Sequence, residues 1–253
     1  MVEFTIKVAD HVIKINALFA STEKYCSEYL VVEKPEFCIT IEKNDITLER
    51  EKLNREVMIE NLPASEYSDE YLEITALQRK IAEILIDFDV LVFHGSVVAV
   101  DGVAYLFTAK SGTGKSTHTR LWREVFGDRV VMINDDKPFL KMNNEGITAY
   151  GSPWNGKHRI GNNVSAPLKS ICILQRGINN RIKRISAKDA MRMVFQQSYR
   201  PMDKQLLPAY LDLLDRLMEQ VIFYQLECNM DSEAALVSYE AMAGAREDDS
   251  NEN

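Results

Sequence analysis

Long apolar runs are missing from this chain of 253 residues: no stretch approaches the ~18 apolar residues that a membrane helix needs. No membrane span and no membrane partner are therefore expected. Cysteine is scarce. The four present, Cys26, Cys38, Cys172 and Cys228, are widely spaced with no CxxC pair, so they read as reduced, mostly buried thiols of a cytoplasmic protein. The opening residues MVEFTIKVADHVIKI alternate and carry Glu3 and Asp10. They lack the basic-then-apolar order of a signal peptide, which also points to the cytoplasm. Positive charge is short too: the net charge of −8 argues against general nucleic-acid binding. Internal repeats and low-complexity linkers are absent.

What is present is a hydrophobic content of 46%, enough for one large domain or a domain with a small extension. The charge is uneven. Residues 157–192 hold nine Lys/Arg and one acid, Asp189, a local balance of +8. Such a segment suits phosphates or an acidic substrate, and equally a solvated basic face.

The first 62 residues read as strand-rich, with alternation in Phe4–Val8 and Phe37–Ile41. Ser68, followed by Asp69 and Glu70, opens an expected helix whose stripe is Tyr71, Ile74, Leu77, Ile81, Ile84 and Leu85. Short strands follow at 91–93, 97–100 and 103–108, the last two joined by the turn pair Asp101-Gly102. Further strands are expected at 130–133, 139–142, 147–150 and 170–174. Helices are expected at 115–126, at 187–198 behind a Ser186-x-x-Asp189 capping box, at 203–220 and at 232–243. These elements suggest a strand-rich N-terminal subdomain over 1–88, a nucleotide-binding domain over 89–245, and a disordered acidic tail over 246–253.

The chemistry centres on Ala109-Lys-Ser-Gly-Thr-Gly-Lys-Ser116, a phosphate-binding loop pattern with Ala where the first Gly usually stands. A strand precedes it and a helix follows, as the motif requires. Within Ser111, Gly112, Thr113, Gly114, Lys115, Ser116 and Thr117, the glycines let backbone N–H groups converge on a phosphate. Lys115 adds a point charge, and the Ser116 hydroxyl can ligate Mg²⁺. Twenty residues after Lys115, an apolar strand ends in Asp135-Asp136. One carboxylate is placed for the metal or its waters, and the other for the proton of a hydroxyl nucleophile. An acidic turn at a strand end is the plainer alternative. His94 precedes the hairpin that feeds the loop, where it can meet the phosphates or be a merely packed residue. The stretch Gly151-Ser-Pro-Trp-Asn-Gly-Lys157-His-Arg159 offers two cations, Lys157 and Arg159, to a transferred group. A turn anchored by Trp154 is the equal alternative.

The order His94-Gly-Ser, hairpin, Ser111-Gly-Thr-Gly-Lys-Ser-Thr117, helix, strand and Asp135-Asp136 resembles the nucleotide core of HPr kinase/phosphorylase. It is similar also to the phosphoenolpyruvate carboxykinases, which share that core. The resemblance covers roughly residues 91–140. It implies an α/β fold of mixed α+β type, a P-loop core with mixed, largely antiparallel sheets. It also implies ATP and Mg²⁺ as cofactors. Lys115 and Ser116 would serve phosphate and metal, Asp135 and Asp136 would divide general-base and metal duties, and His94 would stand beside the reacting phosphate. HPr kinase carries a downstream Glu-Ile-Arg-Gly-Leu-Gly segment that is absent here, so HPr is not singled out as acceptor.

The resulting expectation is an ATP-dependent, Mg²⁺-requiring kinase of the short, stand-alone HPr-kinase-like type. Its proton acceptor is Asp135 by preference, and its metal residues are Ser116 and Asp136. Its partners are a nucleoside triphosphate and a hydroxyl-bearing acceptor: a peptide, a protein or a small molecule such as a free hydroxy amino acid. A second copy of the chain is admitted as a partner, and nucleic acid is not. The alternatives are a non-catalytic ATP-binding regulator or assembly protein, and a small ATPase.

Overall fold

A computed structural model describes residues 1–60 and 66–244, and the expected acidic tail at 246–253 lies outside these residues. The chain divides into two compact units, Met1–Asp87 and Phe88–Asn253. Among the described residues, no helix is long and apolar enough to cross a membrane.

In the first unit, β1 (Val2–Val8) and β2 (His11–Ala17) form an antiparallel hairpin, and β3 (Phe37–Thr40) runs parallel to β2. Ala9 and Asp10 join the hairpin with φ of 47° and 70°, the left-handed pair that a two-residue turn between twisted strands requires. Among the described residues the unit also holds the α-helices α1 (Ala20–Tyr25), α2 (Lys43–Glu60) and α3 (Asp69–Leu85). The strand-rich expectation is therefore corrected to a mixed unit with more helix than strand. The reason lies in α2. Ile46 and Glu49 are buried on it, while Met58 and Ile59 are exposed, so it carries no apolar stripe for periodicity to detect.

Helix α3 begins at its expected cap: the Ser68 hydroxyl accepts from Tyr71 N at 3.3 Å. Its buried stripe is turned slightly from the expected one, onto Leu72, Ala76, Leu77, Ile81 and Leu85, with Tyr71 exposed. The fully buried Glu73 accepts from Leu18 N, Phe19 N and the Thr22 hydroxyl at 2.5, 3.1 and 2.5 Å. Arg79 pairs with Glu49 at 2.5 Å and Asp45 at 3.0 Å, tying α3 to α2. These buried charges are tolerable because each is hydrogen-bonded.

The second unit is a nine-stranded mixed sheet with helices. In chain order it holds β4 (Val90–Val92), β5 (Ser96–Val100), β6 (Val103–Thr108), α4 (Lys115–Phe126), β7 (Val130–Asn134), β8 (Phe139–Asn143) and β9 (Gly146–Tyr150). It continues through β10 (Ser165–Arg176), β11 (Arg181–Ile185), α5 (Ala187–Gln197), α6 (Leu207–Gln220), β12 (Ile222–Cys228) and α7 (Glu233–Gly244). The long β10 organises the sheet. Its start pairs antiparallel with β9, while its later part runs parallel to β6 and to β12. The remaining pairings, β4–β8, β8–β9, β5–β6, β5–β7 and β11–β12, are antiparallel.

Because β6, β10 and β12 are parallel, Thr108, Arg176 and Cys228 finish at the same edge of the sheet. That edge carries the glycine loop. One sheet face is filled by Tyr105, Phe107, Trp122, Leu174, Leu226 and Met242, where α4 and α7 pack. Trp122 is fully buried, and its indole N–H donates to Ser238 Oγ at 2.9 Å. The turn Asp101-Gly102 has φ of 51° and 82°, the geometry expected from its sequence. Strands β11 and β12 were not expected. In Arg-Ile-Lys-Arg-Ile, charge masks the alternation, and β12 follows directly on the helical pattern of α6.

Candidate functional site

The loop leaves β6 at Thr108 and enters α4 at Lys115. Gly112 and Gly114 have φ of +74° and +123°, conformations that cost a side-chain-bearing residue dearly. Ala109 is fully buried in the core, so its methyl takes space that glycine would leave empty. Arg176, from the end of β10, closes over the loop's outer carbonyls. Its Nη2 donates to Gly112 O and its Nε to Thr113 O, the latter at 3.4 Å. Ser111 and Ser116 are exposed, and Thr113 and Thr117 are half-buried.

His94 lies between β4 and β5 and is pinned from three directions. Its N–H donates to Gln197 O at 2.7 Å, its carbonyl accepts from Thr108 Oγ1 at 3.0 Å, and the next amide, Gly95 N, donates to Asp136 O at 3.0 Å. A Cβ on Gly95 would meet Leu106 Cδ2 at 2.9 Å and Phe107 O at 3.1 Å, so the close approach depends on glycine.

The imidazole Nε2 of His94 lies 3.2 Å from Lys115 Nζ and 3.3 Å from Asp136 Oδ1. Lys137 Nζ lies 3.6 Å from the same Asp136 oxygen. Burial, with the charges of Lys137 and Lys115, holds the His94 pKa down to about 4 against the opposing pull of Asp136. His94 is thus neutral at pH 7. Burial likewise lowers the pKa of Lys115, with Asp136 opposing.

Asp135 is buried at the end of β7, where Ser96 Oγ donates to its Oδ1 at 2.8 Å and Asn155 Oδ1 accepts from its N–H at 3.0 Å. The turn beyond is held through its own backbone. Asn134 Oδ1 accepts from Asp136 N at 2.8 Å and Lys137 N at 2.7 Å, while its Nδ2 donates to Ser152 Oγ at 3.1 Å. Ser152 Oγ donates to Lys137 O at 2.6 Å, and Trp154 O accepts from Lys137 N at 3.1 Å. Gly156, with φ +68°, would place a Cβ 3.5 Å from Asp136 Cβ. The 151–156 stretch is therefore the frame of the aspartate turn, with Trp154 buried and stacked on Phe139. Lys157 and Arg159 project from its end and are exposed.

The structure thus gathers His94, Lys115, Asp135 and Asp136 at the loop. Lys157 and Arg159 follow the frame rather than the cluster. Sequence reasoning missed Ser96, Asn134, Asn155, Lys137, Gln197 and Arg176. Only Asn134 carried a readable signal: Asn before Asp-Asp-Lys-Pro is a turn former that bonds amides two and three residues on. A cavity of about 500 Å³ beside the loop is lined by Thr113, Thr117, Leu174, Arg176, Cys228 and Met230. A smaller one of about 160 Å³ is lined by His94, Lys137, Gln196, Gln197 and Tyr199. Among the described residues, no group of three or more His, Cys, Asp and Glu could hold a metal ion.

A second histidine, His118 on α4, is 2% exposed, and burial holds its pKa down to about 4. An unfolded chain would protonate both histidines near their ordinary value, so it takes up protons first as pH falls. Stability is full above about pH 6.5 and is lost progressively toward pH 4, by roughly 2–3 kcal/mol for each histidine. Urea unfolding at pH 7 and pH 4.5 is expected to show the loss, and His118→Gln to flatten the pH dependence. An identical slope in the variant would remove His118 as a source.

No protein-family model matches the chain, and no curated protein matches its sequence. Among solved structures, the HPr(Ser) kinase/phosphatase from Coxiella burnetii is similar over 60% of this chain and 95% of its own, with a TM-score of 0.35 and 10% identity. That likeness is too slight to fix a fold family or a function. What the chain itself defines is a mixed α/β protein with a glycine loop beside a His–Lys–Asp cluster.

Proposed function

We propose that this protein transfers the γ-phosphate of ATP to a hydroxyl group. The observation that carries the reading is the meeting of His94, Lys115 and Asp136 at one nitrogen, 3.2 and 3.3 Å apart, beside a loop whose two left-handed glycines free its amides. A phosphate cradle, a cation and adjacent carboxylates are the parts phosphoryl transfer needs.

The loop amides from Ser111 to Thr117 and the N-terminus of α4 hold the phosphates, with Lys115 on the terminal groups. The 500 Å³ cavity beside the loop has room for the nucleoside. Ser116 and Asp136 would hold Mg²⁺ together with phosphate oxygens, since this ion commonly takes one or two protein ligands and completes its shell with phosphate and water. When bound it would neutralise charge on the transferred group. Asp136 is the carboxylate of the pair that stands beside the phosphate-binding lysine: its Oδ1 lies 3.3 Å from His94 Nε2, which is itself 3.2 Å from Lys115 Nζ. Asp135 takes the hydroxyl proton, with Ser96 fixing one of its oxygens and leaving the other to accept. The acceptor oxygen bonds to the γ-phosphorus, and the β–γ bridging P–O bond breaks with its electron pair leaving on ADP. Neutral His94 positions Lys115 and borders the 160 Å³ cavity from which the acceptor would approach.

The test is ATP labelled at the γ-phosphate, supplied with Mg²⁺ and a panel of hydroxy amino acids, serine peptides and proteins. Label on an acceptor is expected. Label released only as inorganic phosphate would make the protein an ATPase, and tight ATP binding without transfer would make it a regulator.

A further inference from the structure

Three strands of the second unit set one sheet face beside the site. β10 runs parallel to β12 with Ile173 opposite Gln225 and Gln175 opposite Glu227. β11 runs antiparallel to β12 with Lys183 opposite Gln225 and Arg181 opposite Glu227. Side chains alternate across a sheet, so Ile173, Gln225 and Lys183 form one cross-strand row, and Gln175, Glu227 and Arg181 form the next. The opposite face, with Leu174, Tyr224 and Leu226, belongs to the core under α4 and α7. Helix α5 packs against β12, and a cavity of about 240 Å³ opens there, lined by Gln175, Gln225, Arg192, Gln196 and Lys110 of the loop.

We infer that this groove docks an acidic, extended polypeptide segment that carries the hydroxyl to be phosphorylated; the delivery step rests on the transfer reading above, and the docking does not. Lys110, Arg181, Lys183, Lys188 and Arg192 are all exposed. None forms an ion pair with a carboxylate among the described residues. Two acids share the surface, Glu227 and Asp189, and Asp189 is engaged by Ser186 Oγ at 2.7 Å at the helix cap. The balance favours a partner rich in carboxylates.

The shape favours a chain over a single small molecule. Lys188, Met191, Arg192 and Phe195 share one face of α5 at spacings of three and four, over about 10 Å of helix. Met191 and Phe195, 57% and 44% exposed, lie outside the cavity lining, which takes Asp189, Arg192, Met193 and Gln196 from α5, so the two faces meet at Arg192. Among the described residues β11 pairs with β12 alone and is an end strand of the sheet, where an extended segment can add alongside. Cations on an edge strand also serve to repel other strands, but that leaves the α5 face and its cavity unexplained. Gln196 lines both this cavity and the one holding His94 and Lys137, so the groove adjoins the transfer site at that residue.

The test uses the full chain and a labelled peptide of alternating Glu and Ser, with a Lys-for-Glu counterpart, read by fluorescence anisotropy. The acidic peptide is expected to bind at least about tenfold more tightly and to weaken with salt. Combined Arg181→Glu, Lys183→Glu and Arg192→Glu is expected to cost about tenfold or more in peptide affinity, with ATP affinity and melting temperature unchanged. Should that variant not fold, the same three positions changed to Gln must still lose about threefold. Equal binding of the two peptides, unchanged binding by the variants, or full competition by phosphatidylserine vesicles overturns the groove. A chain that binds the acidic peptide but transfers no label leaves the docking standing and sinks the transfer. A chain that phosphorylates free serine with no peptide preference does the reverse.

Discussion

Lys115→Ala is expected to lower the transfer rate by at least about 10²–10³-fold, the cost of losing a preorganised charge at a developing anion. Its ammonium is the one loop cation that touches the cluster, 3.2 Å from His94 Nε2, and it is held there at the cost of its own burial. The same change has a second signature. Lys115 is one of the two charges that hold the His94 pKa down to about 4, so removing it should move that value up, visible by NMR titration of the imidazole. A variant with the upward shift and no transfer is the expected result. Undiminished transfer in a chain with that shift would show that the loop does not hold the reacting phosphate.

Asp135→Asn and Asp136→Asn are expected to fail in different ways. An amide at 135 cannot take the hydroxyl proton, so kcat should fall by about 10²–10⁴-fold while ATP affinity stays within a few-fold. An amide at 136 weakens the metal site, so the apparent Mg²⁺ requirement should rise and excess Mg²⁺ should recover part of the rate. Ser96→Ala, which frees Asp135 Oδ1 from its 2.8 Å bond, should cost about tenfold in kcat with little change in KM. If the Asp135 change cost affinity and rate equally, the assignment of base and metal residues would be reversed.

The loop and its two companions were legible because their residue types are rare in that order. Gly112, Gly114, Lys115, His94 and the Asp pair each carry a chemical reason readable without a structure. The supporting groups were not, because neutral side chains acquire their role from long-range pairing. Ser96 reaches Asp135 across 39 positions and Arg176 reaches Gly112 across 64. No local pattern marks such partners. The same divide runs through the fold. Helix α4 and the β5–β6 hairpin follow from local signals, whereas β11 takes its place from β12 and α2 from buried charges. The basic segment resolved into separate places: Arg176 on the loop, Arg181 and Lys183 on an edge strand, and Lys157 exposed beyond the aspartate frame.

The aspartate turn is fastened through its main chain, by Asn134, Ser152, Trp154 and Asn155. The Asp135 carboxylate adds one bond, accepted from Ser96 Oγ, and an Asn side-chain oxygen can still accept it. A disabled Asp135→Asn chain should therefore keep its shape and stall with both reactants in place. Such a stalled form is a bait: offered a cell extract with ATP, it would retain the true acceptor long enough for mass spectrometry to name it.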